Sequence, residues 1–76
     1  MPGEREPRRF PSPRQQQVIK LVAQGLTNGQ VARSIGTTQY VVKNYLSVIY
    51  DKLGLWNRVE LALWYEARKQ ERRDDN

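Results

Sequence analysis

Three polar side chains, Lys43, Asn44 and Ser47, are spaced so that they lie together on one side of a helix. Residues three and four positions apart are neighbours on a helical surface. A lysine ammonium donates to guanine O6 and N7, and an asparagine amide pairs with adenine through two hydrogen bonds. The strip therefore has the chemistry needed to read base edges. An ordinary solvated helix face is the alternative, and only the surrounding pattern separates the two.

Catalytic and metal-binding chemistry has little support in the composition. The chain contains no histidine and no cysteine, so the usual pairs of base and nucleophile and the His/Cys zinc sites are absent. The acidic residues cluster in the terminal segments, and no glycine-rich phosphate loop is present. We therefore expect that this protein is not an enzyme and needs no cofactor.

The charge of the chain favours a polyanionic partner. The formal net charge is +5 over 76 residues, and nucleic acid is the usual partner of so basic a small domain. The excess of positive charge lies in residues 1–56, because the bases and acids of residues 57–76 balance each other. At this length the chain forms one domain with a small core, and a second copy is the expected source of additional stability.

The elements that position the polar strip are predicted to be helices only. Start signals stand at Ser12, Thr27, Thr38 and Asn57, and three of them form a capping-box pattern with a glutamine or glutamate three residues later. Glycine follows each of the first three helices, as expected of a left-handed C-terminal cap. The predicted fold is an all-α domain of four helices with a central helix-turn-helix, over residues about 13–24, 28–35, 39–53 and 58–70.

Apolar periodicity predicts which side of each helix faces the core. In the third helix Val42, Leu46, Ile49 and Leu53 form a clean stripe, with Val41, Tyr45 and Val48 on its flank. The predicted stripes of the other helices are Val18, Leu21 and Val22 with Ile19 at the edge, then Val31, Ala32 and Ile35, and finally Val59, Ala62 and Leu63.

Outside the helical domain, residues 1–11 are predicted to be a flexible basic arm, since they contain three prolines, a glycine and mixed charge. The domain is expected over residues 12–70, and the charged residues 71–76 are expected to be a disordered tail. No apolar run approaches the length of a membrane span, and no secretory signal is evident. We therefore expect a cytoplasmic protein with no membrane partner.

The order and spacing of several motifs resemble the LuxR/FixJ/GerE-type DNA-binding domain of bacterial transcription regulators. The resemblance covers roughly residues 11–67. The motifs that carry it are Pro13-Arg14, Val22 to Asn28, Val42-Lys43-Asn44, Ile49 to Leu55 and Asn57-Arg58-Val59-Glu60.

This resemblance implies a sequence-specific regulator that binds double-stranded DNA and resides with the bacterial nucleoid. It places the third helix in the major groove, with Lys43, Asn44 and Ser47 at the base-reading positions. The fourth helix mediates dimer contact in that family. A receiver or ligand-sensing domain often precedes the DNA-binding domain. We accordingly expect a weak two-fold homodimer. The candidates for its interface are Leu61, Trp64, Tyr65 and Arg68.

Contacts to the DNA backbone are expected from two groups of residues. The first lies on or beside the third helix, where a helix N-terminus attracts phosphate and tyrosine hydroxyls reach outward. The second is a set of basic residues on several helices. The first group is Thr38, Gln39, Tyr40 and Tyr45, and the second is Arg14, Lys20, Arg33, Lys52 and Arg58.

A helix-turn-helix that binds a protein, such as RNA polymerase or another regulator, remains the alternative, because fold alone does not separate the two functions. Salt-dependent binding to duplex DNA would distinguish them.

Overall fold

A computed structural model describes the backbone of residues 11–74 and the side chains of residues 11–70. The described chain forms four helices: α1 (Pro13–Ala23), α2 (Asn28–Ile35), α3 (Gln39–Leu53) and α4 (Arg58–Asp74). No strand occurs between residues 11 and 74. The predicted all-α fold is therefore confirmed, and seven of the eight helix ends agree with the predicted bounds to within a residue.

Two predicted capping boxes form as the sequence indicates. The Ser12 hydroxyl accepts from the Gln15 backbone N–H at 3.2 Å, and the Gln15 side chain accepts from the Ser12 N–H at 2.9 Å. Thr27 and Gln30 repeat the arrangement at the start of α2 with the same two distances. These reciprocal bonds satisfy donors that the first helical turn leaves without partners, so both helix starts are fixed locally.

The third predicted capping box is only half correct. The Asn57 side chain accepts from the Glu60 N–H at 2.9 Å, as expected. The Glu60 carboxylate, however, accepts from the N–H of Trp56 at 2.7 Å and not from that of Asn57. Glu60 thereby holds the backbone of Trp56, the residue before the cap, and so fixes the direction in which the chain enters α4.

The turn between α2 and α3 depends on Gly36. Its φ of 77° lies in the left-handed region, where residues with a Cβ are strained. The N–H groups of Gly36 and Thr37 both donate to the carbonyl oxygen of Ala32, which closes α2. Thr38 then caps α3 by accepting from the Val41 N–H at 3.2 Å. This short connection sets α2 and α3 as the predicted helix-turn-helix, while α1 packs against all three other helices.

The core consists of nine buried apolar side chains, and no polar or charged side chain of residues 11–70 is buried with them. All four helices contribute to it. Half-buried side chains, including Leu26, Leu53 and Leu55, pack around it. The buried set is Val18, Ile19, Val22, Val31, Ala32, Val42, Leu46, Ile49 and Leu61.

Two predictions about the core faces of α1 and α3 are wrong. Ile19, expected at the edge of its stripe, is only 1% exposed, whereas Leu21 is half-buried. The reason is that α1 packs against α2, α3 and α4 and so buries a wider sector than a single stripe. Val48, expected to widen the α3 stripe, is 52% exposed, because no neighbouring helix covers its side of α3.

The predicted core face of α4 is also wrong. Leu61 is fully buried, while Val59 and Leu63 are 69% and 65% exposed. Two residues along a helix correspond to a rotation of about 200°, so Val59 and Leu63 point away from the side on which Leu61 lies. Apolar residues occur on both sides of α4, and the packing of α4 on α1 determines which side is buried.

The ends of the chain give two further observations. Helix α4 continues to Asp74, four residues beyond the predicted end, because the residues after Tyr65 are good helix formers and include no glycine or proline. Pro11, the last residue of the predicted arm, is buried and its carbonyl accepts from the Gln16 side chain. The rest of the predicted arm and residues 75–76 lie outside the described residues. None of the four helices combines the length and apolarity needed to cross a membrane.

The burial pattern of α4 predicts unequal effects for two identical substitutions. Leu61→Ala should lower the free energy of unfolding by about 2–5 kcal/mol, because it removes buried methyl groups and leaves a cavity. Leu63→Ala, on the exposed side of the same helix, should change it by no more than about 0.5 kcal/mol. Urea unfolding followed by circular dichroism measures both. Equal losses in the two variants would contradict the assignment of Leu61 to the core.

Candidate nucleic-acid interface

The outer face of α3 carries the predicted base-reading residues. Lys43, Asn44 and Ser47 are all exposed, and none of their side chains forms a hydrogen bond to another residue within 11–70. They lie on the side of α3 that faces away from the core, with Lys43 at its edge and Asn44 nearly opposite the buried Val42. Their donor and acceptor groups are therefore available to a partner along this face.

The start of α3 places two predicted contact residues differently. The Thr38 hydroxyl is engaged in capping, because it accepts from the Val41 N–H. Gln39 lies alongside α2: a Cβ added to Gly29 would stand 3.2 Å from the Gln39 amide nitrogen. Gln39 thus covers the first turn of α2, and a larger residue at position 29 would displace it.

The two tyrosines predicted to flank the polar strip differ in exposure. Tyr40 is 74% exposed in the first turn of α3. Tyr45 is half-buried and packs against the core. The Tyr45 ring therefore contributes to the folding of the domain, in contrast to that of Tyr40.

Two open grooves adjoin the α3 face. One runs from Lys43 and Ser47 to Asn57 and is lined also by Asn28 and Arg58. The other lies at the start of α2 and includes Asn28 and Arg58 again. The two shared residues make the grooves neighbours on one polar surface. The remaining polar and charged side chains of the second groove are Thr27, Arg33 and Gln39.

Arg58 connects the start of α4 to the start of α2. Its guanidinium donates to the Asn28 side-chain oxygen at 2.7 Å and to the Leu26 carbonyl at 2.8 Å. Burial raises the pKa of the nearby Tyr50 hydroxyl, and the positive charge of Arg58 partly opposes that rise. Both partners of Arg58 belong to the protein, so Arg58 positions α4 against the start of α2, and its phosphate contact stays a prediction.

Lys52 also joins two helices through a hydrogen bond. Its ammonium donates to the Gln15 side chain at 3.0 Å, in a partly buried contact between the last turn of α3 and the first turn of α1. The same Gln15 oxygen accepts from the Ser12 N–H. Lys52 therefore supports the α1 cap, and its phosphate contact stays a prediction.

Three other predicted phosphate contacts remain on the surface. Arg14, Lys20 and Arg33 are exposed, and Arg14 donates to the neighbouring Gln17 side chain at 3.2 Å. Arg33 lies in the groove at the start of α2. The acidic Asp51 is exposed near the end of α3, so the positive charge is greater toward the start of that helix.

The predicted dimer residues lie mainly on the inner side of α4. Leu61 belongs to the core and is unavailable to a partner, because α1 covers it. Trp64 and Tyr65 are half-buried against the same core. Arg68 is exposed, with its guanidinium 5.0 Å from the centre of the Trp64 ring. This cation–π contact stabilises the packed side of α4.

Sequence reasoning missed two features of the surface. Asn28 was recognised only as part of a motif, yet it lines both grooves. The apolar side chains of Val59, Leu63 and Trp56 are exposed at the start of α4, and Trp56 is the most exposed at 85%. The spacing of Val59 and Leu63 by four residues is a signal that could have indicated a separate outer stripe.

Comparison with known proteins shows that the sequence is similar to bacterial regulators. Residues 12–65 match the model of the family described as bacterial regulatory proteins, luxR family (GerE). The two-component response regulator PprB of Pseudomonas aeruginosa is 48% identical over 52 residues, which are 68% of this chain and 19% of that protein. The nitrate/nitrite response regulator protein NarL of Escherichia coli is 40% identical over 58 residues, 76% of this chain and 27% of NarL. The chain thus spans about a fifth to a quarter of these relatives.

The two hydrogen bonds of Arg58 predict a stability effect that its positive charge alone would not produce. Arg58→Ala should lower the free energy of unfolding by about 1–3 kcal/mol, because the partly buried Asn28 and Leu26 acceptors lose their donor. Arg33→Ala removes the same charge from an exposed position and should change it by no more than about 0.5 kcal/mol. Thermal unfolding of the two variants checks this. An Arg58→Ala protein as stable as the parent would contradict this positioning role.

Proposed function

This chain belongs to the luxR family of bacterial regulatory proteins, and on that premise we propose that it is a sequence-specific regulator of transcription that binds double-stranded DNA. The observation that carries the proposal is the outer face of α3, where Lys43, Asn44 and Ser47 stand exposed opposite a buried stripe. An α-helix fits the major groove of B-form DNA, and base edges there present a distinct pattern for each base pair.

In this proposal the three residues on α3 supply sequence preference. Lys43 donates to guanine, Asn44 pairs with adenine, and the Ser47 hydroxyl donates or accepts according to the base opposite it. Their freedom from internal hydrogen bonds supports the assignment, since a side chain already bonded within the protein would have to exchange partners on binding.

Contacts to phosphate supply affinity and orientation without sequence preference. The candidates for phosphate contact are the exposed side chains of Arg14, Lys20 and Arg33. None of these three residues joins one helix to another. The start of α3 at Thr38 and Gln39 offers backbone N–H groups and a positive helix dipole to phosphate. Tyr45 contributes through its hydroxyl only, because its ring packs on the core.

The proposed dimer forms through the outer side of α4. Val59 and Leu63 are the residues proposed for this contact, because they are exposed and lie one turn apart, whereas Leu61 is fully buried. A two-fold contact presents the same surface from both copies, and two helices meeting at such a small apolar area give a weak dimer. Two copies related in this way would read inverted half-sites. Where the domain is joined to a receiver or sensor domain, that domain would strengthen the pairing.

RNA polymerase is a further proposed partner, since the highly exposed Trp56 adjoins the α4 surface. The alternative function, a helix-turn-helix that binds only a protein, is supported by the same side chain. The salt dependence of binding to duplex DNA distinguishes this alternative from DNA binding.

The DNA-binding proposal predicts that selection from a random pool yields a preferred duplex whose affinity falls steeply with salt. Each phosphate contact contributes about −0.9 to the slope of log K against log salt concentration. Asn44→Ala should cost about 1–3 kcal/mol on the selected duplex and relax the preference at one position. Fluorescence anisotropy titrations at several salt concentrations measure both effects.

Arg33→Ala is the matched control for that experiment. It should weaken binding to all duplexes similarly and make the salt slope shallower by about 1. If no duplex is bound, or if affinity is independent of salt, the function as a DNA-binding regulator is wrong and the protein-binding alternative gains support.

The dimer proposal predicts opposite outcomes for two glutamates on different sides of α4. Leu63→Glu should abolish self-association, because it places two like charges within a small apolar contact. Arg68→Glu lies on the packed side of the helix and should leave self-association unchanged. Sedimentation equilibrium, with and without the selected duplex, measures the dimer. Loss of the dimer in Arg68→Glu alone would favour the originally predicted interface.

A further inference from the structure

Tyr40 is the one side chain of the first turn of α3 that projects freely outward. The other members of that turn are used within the protein: Val42 is fully buried, Val41 is half-buried, and Gln39 lies over Gly29 of α2. Tyr40 is 74% exposed and is held on a helix whose start is fixed by the Thr38 cap. A large aromatic surface is therefore presented to solvent from a rigid position.

The position of Tyr40 on the helix is central to the outer face. At about 100° per residue, Tyr40 lies about 160° round the helix from the buried Val42, between Lys43 on one side and Asn44 on the other. A helix lying in the major groove points the middle of its outer face at base edges and its flanks at the phosphates. The central position therefore favours a base contact for Tyr40 over the backbone contact expected from the sequence.

The chemistry of the ring selects one kind of base feature. The only apolar group that a base pair displays in the major groove is the C5-methyl of thymine. A mostly exposed aromatic ring gains from covering a methyl group, because both surfaces leave water. The ring requires no hydroxyl for this contact.

We propose that Tyr40 is a specificity-determining residue that recognises a thymine C5-methyl group through its ring. This inference rests on the proposed binding of duplex DNA and adds a base preference to those of Lys43, Asn44 and Ser47. The Tyr40 hydroxyl is not needed for the preference, which separates this role from a phosphate contact.

Deoxyuridine tests the inference, since it differs from thymidine only by the absence of the methyl group. In the duplex obtained by selection, each thymine is replaced in turn by uracil, and the affinity of the parent protein is measured. Replacement at one thymine of each half-site should weaken binding about threefold to fivefold, as expected for one buried methyl group. Tyr40→Ala should bind the thymine and uracil duplexes equally at that position.

Two further variants complete the design. Tyr40→Phe keeps the ring and should retain the discrimination between thymine and uracil, whereas Asn44→Ala should lose affinity but keep that discrimination.

The inference is overturned if Tyr40→Ala still distinguishes thymine from uracil at the same position. Loss of the discrimination between thymine and uracil in Tyr40→Phe would also overturn it, because the ring alone would then not account for the preference. If no duplex is bound by the parent protein, the proposed function fails together with this inference, whereas salt-dependent binding without any uracil effect removes the inference alone.

Discussion

The burial of one stripe of α3 is the constraint on which the remaining structure depends. Val42, Leu46 and Ile49 are at most 4% exposed, so the rotation of α3 about its own axis is fixed by the core. Every outward side chain on the helix inherits its direction from that rotation. A rotation by one residue would turn Lys43 toward the core and bury a charge without a partner, at a large energetic cost. The apolar packing therefore fixes which polar groups face a partner.

Two basic residues are used to hold the helices in place. Lys52 joins α3 to α1 through Gln15, and Arg58 joins α4 to the start of α2. Bonds of this kind limit small movements that a core of nine aliphatic side chains would otherwise permit. They also reduce the number of cations available to a polyanion, so net charge alone overstates the basicity of the α3 surface. The exposed cations outside α3 then carry a larger share of the long-range attraction.

Local signals allowed much of the fold to be predicted from sequence. A cap at Ser12 or Thr27 needs only a partner three residues away, and Gly36 needs only its own left-handed conformation. The partners of Arg58, in contrast, lie 30 and 32 residues earlier in the chain. No local pattern identifies them, and a surface arginine near a helix start looks the same whether it contacts phosphate or another helix. The internal role of Arg58 therefore could not be read from the sequence, and its phosphate contact stays a prediction.

In the candidate site, too, some features follow from local sequence and others from contacts between helices. The outward direction of Lys43, Asn44 and Ser47 follows from the strong stripe opposite them, so the strip could be recognised from the sequence. Helix α4 carries apolar residues around its circumference, and periodicity alone does not decide between Leu61 and the outer pair of Val59 and Leu63. The neighbouring α1 decides, because it supplies the surface against which Leu61 becomes fully buried. Which side of a helix with two apolar sides becomes buried thus depends on its tertiary contacts.

The contact between Arg58 and Asn28 gives α4 a physical link to the polar surface. Arg58 is the first residue of α4, one position before the exposed Val59, and it bonds a residue that lines both grooves. A change in the direction of α4 would act on the start of α2 through the two short hydrogen bonds that Arg58 donates to Asn28 and to the Leu26 carbonyl. These bonds are directional, so they resist such a change more strongly than apolar contacts would. The same residue that stabilises the free domain therefore also keeps the outer side of α4 and the surface beside α3 in a fixed relation.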